Sequence, residues 1–536
     1  MAAVGLTNNA SVADKEKICL KCKQRKDTIF RNFNFDGYSI KSFLSADDYI
    51  EIDSILESVT QQDFHKLSID DIEIGKIALY QAILELKKIS LEFKDEQWIR
   101  VKIDLKNTLM TFFAVRKIFW SEKPDIVILY NSLYSVNHVV CKLAQKYQIR
   151  QYFMHASGSL AHKSETMILG EGDAFKYYKK LLKFWEVEKY NPCSISELKQ
   201  VSMHIIAAIR ASTLFSYSIK VGKEQPDVIS YFQVKRHQKI LLATMSSNDE
   251  RYAANIINAF HQSENVLFQT QTEWLAALIN YVKPRRDLFL IIRVHPREFP
   301  NRRESVKSEN SSQLESLLLN LPENVKVNWP SDGISLYHLA QEIDLCLNSW
   351  SSAGKELAAL GIPVLLYSKE IQVYPADINY LAEDIDSYFL ELEKALKNGW
   401  SFENVRKAYR WYAVEYFRTT LDLSDSFRNV NSNLINRVLR KIITSVFDSG
   451  LDYLDCKRRA RSLKTSSIIR EIIEKGKDSY LDILSEKRNG PHGHFSETSA
   501  LKSILYEIYM ILKRNNRKMT PLLINIKNYI DLDAGT

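Results

Sequence analysis

Six short apolar runs, each closing on small or polar residues, constrain the fold of this chain most. They are Pro124-Asp-Ile-Val-Ile-Leu-Tyr130, Ile149-Arg-Gln-Tyr-Phe-Met154, Lys239-Ile-Leu-Leu-Ala-Thr244, Asp287-Leu-Phe-Leu-Ile-Ile-Arg-Val294, Ile343-Asp-Leu-Cys-Leu347 and Ile362-Pro-Val-Leu-Leu-Tyr367. Runs of this length without polar alternation read as strands covered on both faces. Helical stretches separate them, such as Val136 to Lys146 and Gln271 to Val282, where Trp274, Leu275, Leu278 and Ile279 share a face. Strand and helix in alternation predict an α/β protein with doubly wound sheets. In such sheets ligands sit outside the carboxyl ends of the strands. The polar clusters at 131–132, 155–158, 244–249, 293–298 and 348–354 all fall at expected strand ends.

The chain has 536 residues, 26% of them charged and 45% hydrophobic. That balance is globular rather than disordered and allows several domains. The expected division is a polar arm over 1–30, α/β domains over 31–235 and 236–400, and a helical extension over 401–536. Residues 45–120 read as helical, with Ile74, Ile77, Ala78, Ala82, Ile83 and Leu86 at helical spacing. In the extension, Leu434, Ile435, Val438, Leu439, Ile442, Ile443 and Val446 form an apolar stripe.

The net charge is +8, and it is uneven. Residues 401–536 carry 24 Lys and Arg against 16 Asp and Glu, so the first 400 residues are neutral. The basic runs are Lys457-Arg-Arg-Ala-Arg461 and Lys513-Arg-Asn-Asn-Arg-Lys518. A dedicated nucleic-acid binder would be more basic overall. A localised excess suits an anionic membrane surface or an assembly partner. The six cysteines make no disulfide framework, which suits a reducing compartment. The N-terminus lacks the apolar core of a signal peptide, and no run approaches the ~20 residues of a spanning helix. The expected location is the cytoplasm, with peripheral attachment at the inner face of the membrane through the basic extension. Cys19-Leu-Lys-Cys22 is half of a zinc site, and free thiols are the expected state.

Three motifs carry chemistry. Arg293-Val-His295-Pro296-Arg297-Glu298 ends a strand with an imidazole between two guanidinium groups, which suits a phosphate or ribose. Asn348-Ser349-Trp-Ser351-Ser352-Ala-Gly354-Lys-Glu356 places hydroxyls and free amides at a helix N-terminus, where anions bind. There Gly354 would let a ligand approach the backbone, and Glu356 would accept ribose hydroxyls. Thr244-Met-Ser246-Ser247-Asn248-Asp249 supplies small hydroxylated residues along a phosphate path, with Asp249 as an N-cap.

With ILLATMSSNDE, LIIRVHPRE, NSWSSAGKELAALGIPVLLY and YPADINYL in this order, the chain resembles GT-B glycosyltransferases over residues 120–400. It is most similar to bacterial capsule and surface-polysaccharide biosynthesis proteins of the Kdo- and sialyl-transferase type. That resemblance implies two Rossmann-like domains, the second holding a nucleotide-sugar. It implies nucleotide contacts from His295 and phosphate contacts from Ser351 and Ser352. No metal or other cofactor is expected, since GT-B enzymes generally stabilise the leaving phosphate with protein dipoles and cations. The donor that the resemblance implies is a CMP-sugar, and the acceptor a growing, lipid-linked surface glycan. Such transferases often carry an Asp-Gly or Glu-Gly general base in the first domain. This chain has His155-Ala-Ser157-Gly158 there, so His155 is the expected base. Glu165, Glu171 and Asp173 are the alternative carboxylates. Asn131, Ser157 and His162 are expected on the acceptor side. The rival readings are a nucleotide-sugar 2-epimerase, a polyol-phosphate transferase and a non-catalytic subunit of an assembly complex.

Overall fold

A computed structural model describes residues 12–33, 37–163, 165–211, 225–260, 266–301, 305–368, 374–423, 465–486, 494–514 and 518–532. The apolar stripe at 434–446 and the basic run 457–461 lie outside them. The protein is α/β. Among the described residues the strands are β1 (Ile126–Tyr130), β2 (Arg150–Ala156), β3 (Thr166–Glu171), β4 (Lys239–Thr244), β5 (Leu288–Arg293), β6 (Val325–Asn328), β7 (Leu345–Asn348), β8 (Val364–Leu366) and β9 (Leu421–Asp422). One sheet has the order β6-β5-β4-β7-β8. Counted from β4, that is the 3-2-1-4-5 order of a Rossmann-like sheet. Its pairs β5–β6 and β7–β8 are parallel, with Ile291 opposite Lys326 and Leu347 opposite Leu365. The other sheet has the order β1-β2-β3-β9. In it β3 runs antiparallel to β2, with His155 opposite Ile168, and β9 antiparallel to β3.

Each of the six apolar runs contains a strand, whereas β3, β6 and β9 lie outside those runs. β3 is Thr-Met-Ile-Leu-Gly-Glu, whose glycine interrupts the apolar signal. β1 differs from its expected burial. None of its five residues is buried, and Ile128 and Tyr130 are 43% and 55% exposed. The reason is position: β1 is the edge strand of its sheet.

The chain forms two compact units, each made of two segments. The first comprises Met1–Gln151 and Leu242–Gly333, the second Tyr152–Leu241 and Ile334–Thr536. In the first unit the helices Ala46–Ser58, Ile74–Leu86, Asp95–Glu122 and Ser135–Lys146 bury a shared core that includes Ile52, Ile74, Ile77, Leu105, Leu109, Phe112, Phe113, Val139 and Leu143. Ser45 and Asp48 cap the first of these helices reciprocally, satisfying amides that have no partner inside it. Residues Val12–Phe33 form a helix on which Cys19 and Cys22 are exposed free thiols.

The second unit includes the described C-terminal helices. Phe402–Ala413 packs on Ala353–Leu360 and Ile195–Ile209, and His494–Arg514 packs on Ile195–Ile209. Glu497 is fully buried and takes two hydrogen bonds from Arg410, at 2.9 and 2.6 Å, and one from the Cys193 amide at 2.7 Å. A buried carboxylate needs such complete pairing to be tolerated. No helix among the described residues is long and apolar enough to cross a membrane.

Candidate functional site

In the first unit, the loops after β4 and β5 are held together by backbone and side-chain bonds. The Met245 amide donates to the Arg293 carbonyl at 3.2 Å. Gln271, the first residue of the Trp274 helix, clamps the turn after β4. Its Oε1 accepts from the Ser246 amide at 2.8 Å, and its Nε2 donates to the Ser246 carbonyl at 2.8 Å and to Asn248 Oδ1 at 2.7 Å. Thr244, Ser246 and Ser247 are buried, and Ser247 Oγ donates to Glu250 at 2.6 Å. Asp249 lies inside the helix Asn248–Ile256, where Ser247 is the N-cap.

The His-Pro loop divides into buried and half-buried groups. Arg297 is buried, and its guanidinium pairs with Asp249 and donates to the Leu84 carbonyl at 3.2 Å. Glu298 is buried and accepts from Ser308 Oγ, and burial raises its carboxyl pKa. Both therefore hold the loop in place. Arg293 and His295 are half-buried, with Pro296 between His295 and Arg297. The Arg293 guanidinium donates to Asn328 Oδ1. His295 Nδ1 accepts from the Arg297 amide at 3.3 Å, so in the neutral ring the proton sits on Nε2. That tautomer makes Nε2 a donor, the form that suits a phosphate or hydroxyl oxygen. Asn131 has φ of +49° and closes a side-chain turn by accepting from the Leu133 amide at 3.2 Å.

In the second unit, the helix Ala353–Leu360 follows β7 through Ser349, which is buried, and Trp350, whose ring meets Tyr367 edge-on. Asn348 Nδ2 donates to the Ser351 carbonyl at 3.1 Å and to the Tyr374 hydroxyl at 3.2 Å. A Cβ on Gly354 would lie 2.1 Å from that hydroxyl and 2.5 Å from Asn348 Nδ2. The glycine is thus required by packing, and the space expected for a ligand is filled by Tyr374 and Asn348. What faces outward is Ser352, exposed, with Ser351 and Glu356 half-buried. Glu356 accepts from Tyr337 at 2.6 Å and from Ser352 Oγ at 3.1 Å, and burial raises its pKa.

The same helix carries Lys355, which is buried. Its Nζ donates to both oxygens of Glu415, at 2.8 and 2.6 Å, and lies 3.3 Å from the Tyr416 hydroxyl. It also sits over the rings of Tyr412 and Tyr416. Glu415 and Tyr416 come from a π-helical turn, Val414–Arg418, a geometry that recurs at functional sites. On its other side Tyr416 packs on Gly158, where a Cβ would lie 2.4 Å from the ring. Tyr416 therefore touches both Lys355 and the loop after β2.

That loop contains the remaining expected residues. His155 Nδ1 is 2.7 Å from the Ala156 carbonyl. A carbonyl only accepts, so Nδ1 holds the proton and the neutral ring has its lone pair on Nε2. Ser157 is fully buried and bonded to Thr166, a structural role. His162 Nδ1 lies 3.1 Å from Glu165, and its buried Nε2 has no partner among the described residues. The His162 ring contacts Phe417 of the π-helical turn. His204, on the helix Ile195–Ile209, accepts from the Leu160 amide at 2.9 Å, and its ring lies tilted against Tyr412 and edge-on to Tyr416. Burial holds its pKa down at about 3, so it is a neutral strut at working pH. His204, Glu415 and Tyr416 were outside the sequence expectations. A histidine on an apolar helical face gives no motif, and the π-helical turn gives none either.

Among the described residues no group of three or more His, Cys, Asp or Glu side chains is placed to hold a metal ion.

No family model matches the chain. No curated protein matches it in sequence. Among solved structures, the chain is similar to the β-Kdo 2,4-transferase KpsC of Thermosulfurimonas dismutans, at 14% identity and a TM-score of 0.32, over 54% of this chain and 78% of that one. It is also similar to the UDP-GlcNAc 2-epimerase of Methanocaldococcus jannaschii bound to UDP-GlcNAc and UDP, at 14% identity and a TM-score of 0.28, over 62% and 94% of the two chains. A third match is the glycosyltransferase SnogD of Streptomyces nogalater, at 11% identity and a TM-score of 0.23, over 67% and 81%. These superpositions are loose, and the assignment to α/β rests on the strands themselves.

Proposed function

We propose that the protein is a nucleotide-sugar-dependent glycosyltransferase that extends a surface glycan. The observation that carries this reading is Tyr416. It joins the helix start bearing Ser351, Ser352 and Glu356 to the loop bearing His155 and His162, within one unit. A helix N-terminus with an exposed hydroxyl suits the donor phosphates, and half-buried Glu356 suits a ribose hydroxyl. The histidines divide the proton work by tautomer. His295, in the first unit, has its proton on Nε2 and is a hydrogen-bond donor to a phosphate or hydroxyl oxygen. His155, with its lone pair on Nε2, accepts the proton of the acceptor hydroxyl as general base. A second base candidate is His162. A carboxylate orients its Nδ1, and its Nε2 is unsatisfied, which is the arrangement of an activated imidazole. No step here calls on a metal.

The test is turnover of purified protein with CMP-, UDP- and GDP-sugars and a glycan acceptor. Release of one nucleoside phosphate together with acceptor elongation is expected. His295→Ala should abolish transfer with the fold intact. Loss in His155→Ala but not His162→Ala assigns the base to His155, and the reverse assigns it to His162. Epimerised donor without transfer, or no turnover with any donor, contradicts the proposal.

A further inference from the structure

The basic excess of the C-terminal residues has no part in the site above. From Ile508 to Ile530 the sequence carries five cations, Lys513, Arg514, Arg517, Lys518 and Lys527, and no Asp or Glu. Lys513 and Arg514 end the helix His494–Arg514, Lys527 lies on the helix Pro521–Asp531 that packs against it, and Lys518 precedes that second helix. The inner faces of the two helices are used. Leu501, Leu505, Ile508 and Leu512 are buried, as are Leu522, Leu523 and Ile526. The Tyr529 hydroxyl donates to the Trp400 carbonyl at 2.9 Å, which anchors the second helix to the body of its unit.

The outer surface has a different composition. Lys513, Arg514 and Lys518 are exposed where the two helices approach their connection. Lys518 keeps 75% of its side chain in solvent while lying 3.3 Å from Asp227. Apolar side chains are interspersed with these cations: Met519 is 47% exposed, Tyr506 52% and Ile524 46%. Tyr506 stacks on Tyr509, and the Lys513 ammonium lies over the Tyr509 ring. Cations mixed with exposed Met, Tyr and Ile, with no acid between Ile508 and Ile530 and with Glu507 and Asp227 at the border, match a membrane interface. Lysine and arginine pair with anionic headgroups there, and short apolar or amphipathic side chains enter the acyl boundary. The first 400 residues, with a net charge of zero, offer no comparable excess.

We propose that this helix-pair end, with Lys513, Arg514, Lys518 and Met519 foremost, docks the protein on an anionic phospholipid surface. The docking is electrostatic at first contact and is completed by shallow insertion of Met519. It would hold a transferase beside a lipid-linked acceptor, but it stands independently of the catalytic reading.

The experiment is vesicle co-flotation with the full chain. Phosphatidylcholine vesicles containing phosphatidylglycerol are compared with vesicles of phosphatidylcholine alone. Binding is expected to the first and not to the second, and molar salt should release it. Each cation near the surface contributes about fivefold to partitioning. The Lys513→Gln/Arg514→Gln variant should therefore bind about 25-fold more weakly, and Lys513→Glu/Arg514→Glu/Lys518→Glu at least roughly 100-fold more weakly. An unchanged melting temperature shows that a variant is folded, and the Gln variant serves if the Glu variant is not. Met519→Ser should lose a further few-fold at fixed charge. Failure of the wild-type chain to float with anionic vesicles overturns the proposal. So does wild-type binding by a folded Gln variant, or loss of binding only when the 457–461 run is neutralised.

Discussion

The His-Pro loop of the first unit and the Ser-Ser helix start of the second unit are alike in sequence: each packs charged and hydroxylated residues into the few positions after a strand. In the structure they use those residues differently. The His-Pro loop consumes its strongest charges internally, with Arg297 on Asp249 and Glu298 on Ser308. The Ser-Ser helix start buries Lys355 on Glu415 but leaves Ser352 exposed and Ser351 and Glu356 half-buried. Both loops rest on a buried ion pair, which leaves only the groups around the pair open to solvent. Charge density in a motif is therefore a poor guide to contact, because desolvated charges must find partners before they can serve a ligand.

The largest effects should come from removing the supporting cations. Lys355→Met leaves Glu415 buried and without its ammonium partner, and should cost about 3–5 kcal/mol in urea unfolding. Lys355→Met/Glu415→Gln should recover most of that loss. Equal instability of the single and double variants would show that the pair is not the support. Arg297→Met should cost less, about 3 kcal/mol, because Asp249 lies close to the helix start at Asn248 and retains its dipole. Its unfolding midpoint should fall while nucleotide binding by the folded fraction persists.

Acid should weaken both units through their buried histidines. Burial lowers His138 in the first unit to about 4 and His204 in the second to about 3. A depressed folded pKa means that the unfolded chain binds the extra protons. Stability is therefore complete above the unfolded pKa of about 6.5 and falls as pH drops below it, by about 2 kcal/mol per histidine at pH 5. His138→Gln or His204→Gln should each flatten the pH profile of the melting temperature between pH 5 and pH 7. A profile unchanged in both would contradict the burial argument. The smallest expected effect on stability belongs to Ser352→Ala, within about 0.5 kcal/mol, because the side chain is exposed and makes no cap bond.

Much of the fold was legible because a sheet core needs continuous apolar runs, and each of the six runs from 124–130 to 362–367 contains a strand. Those runs supply four of the five strands of the sheet β6-β5-β4-β7-β8, and β6 is the fifth. β3 was not legible, since an antiparallel strand with Gly170 in it lacks the buried-run signature. The exposure of β1 was not legible either, because Ile126–Tyr130 reads the same at an edge as in the middle. In the site, residue identity showed where the loops are, but not which groups are spent on internal bonds. The role of Gly354 shows this most plainly: a glycine before a helix turn reads as room for a ligand, while Tyr374, well downstream in the chain, fills that room. Glu415 and Tyr416 were illegible because a π-helical turn has no sequence period to betray it.

The helix start at Ser351–Glu356 is the proposed nucleotide site. Thermal melting of the wild type and of Ser352→Ala against CMP, UDP and GDP tests it most directly. One nucleotide should stabilise the wild type by about 2.7 kcal/mol at a hundred times its Kd. Ser352→Ala should melt with the wild type when unliganded and lose most of that shift. If no nucleotide moves the wild-type transition, or if Ser352→Ala shifts as far as the wild type does, the claim is wrong.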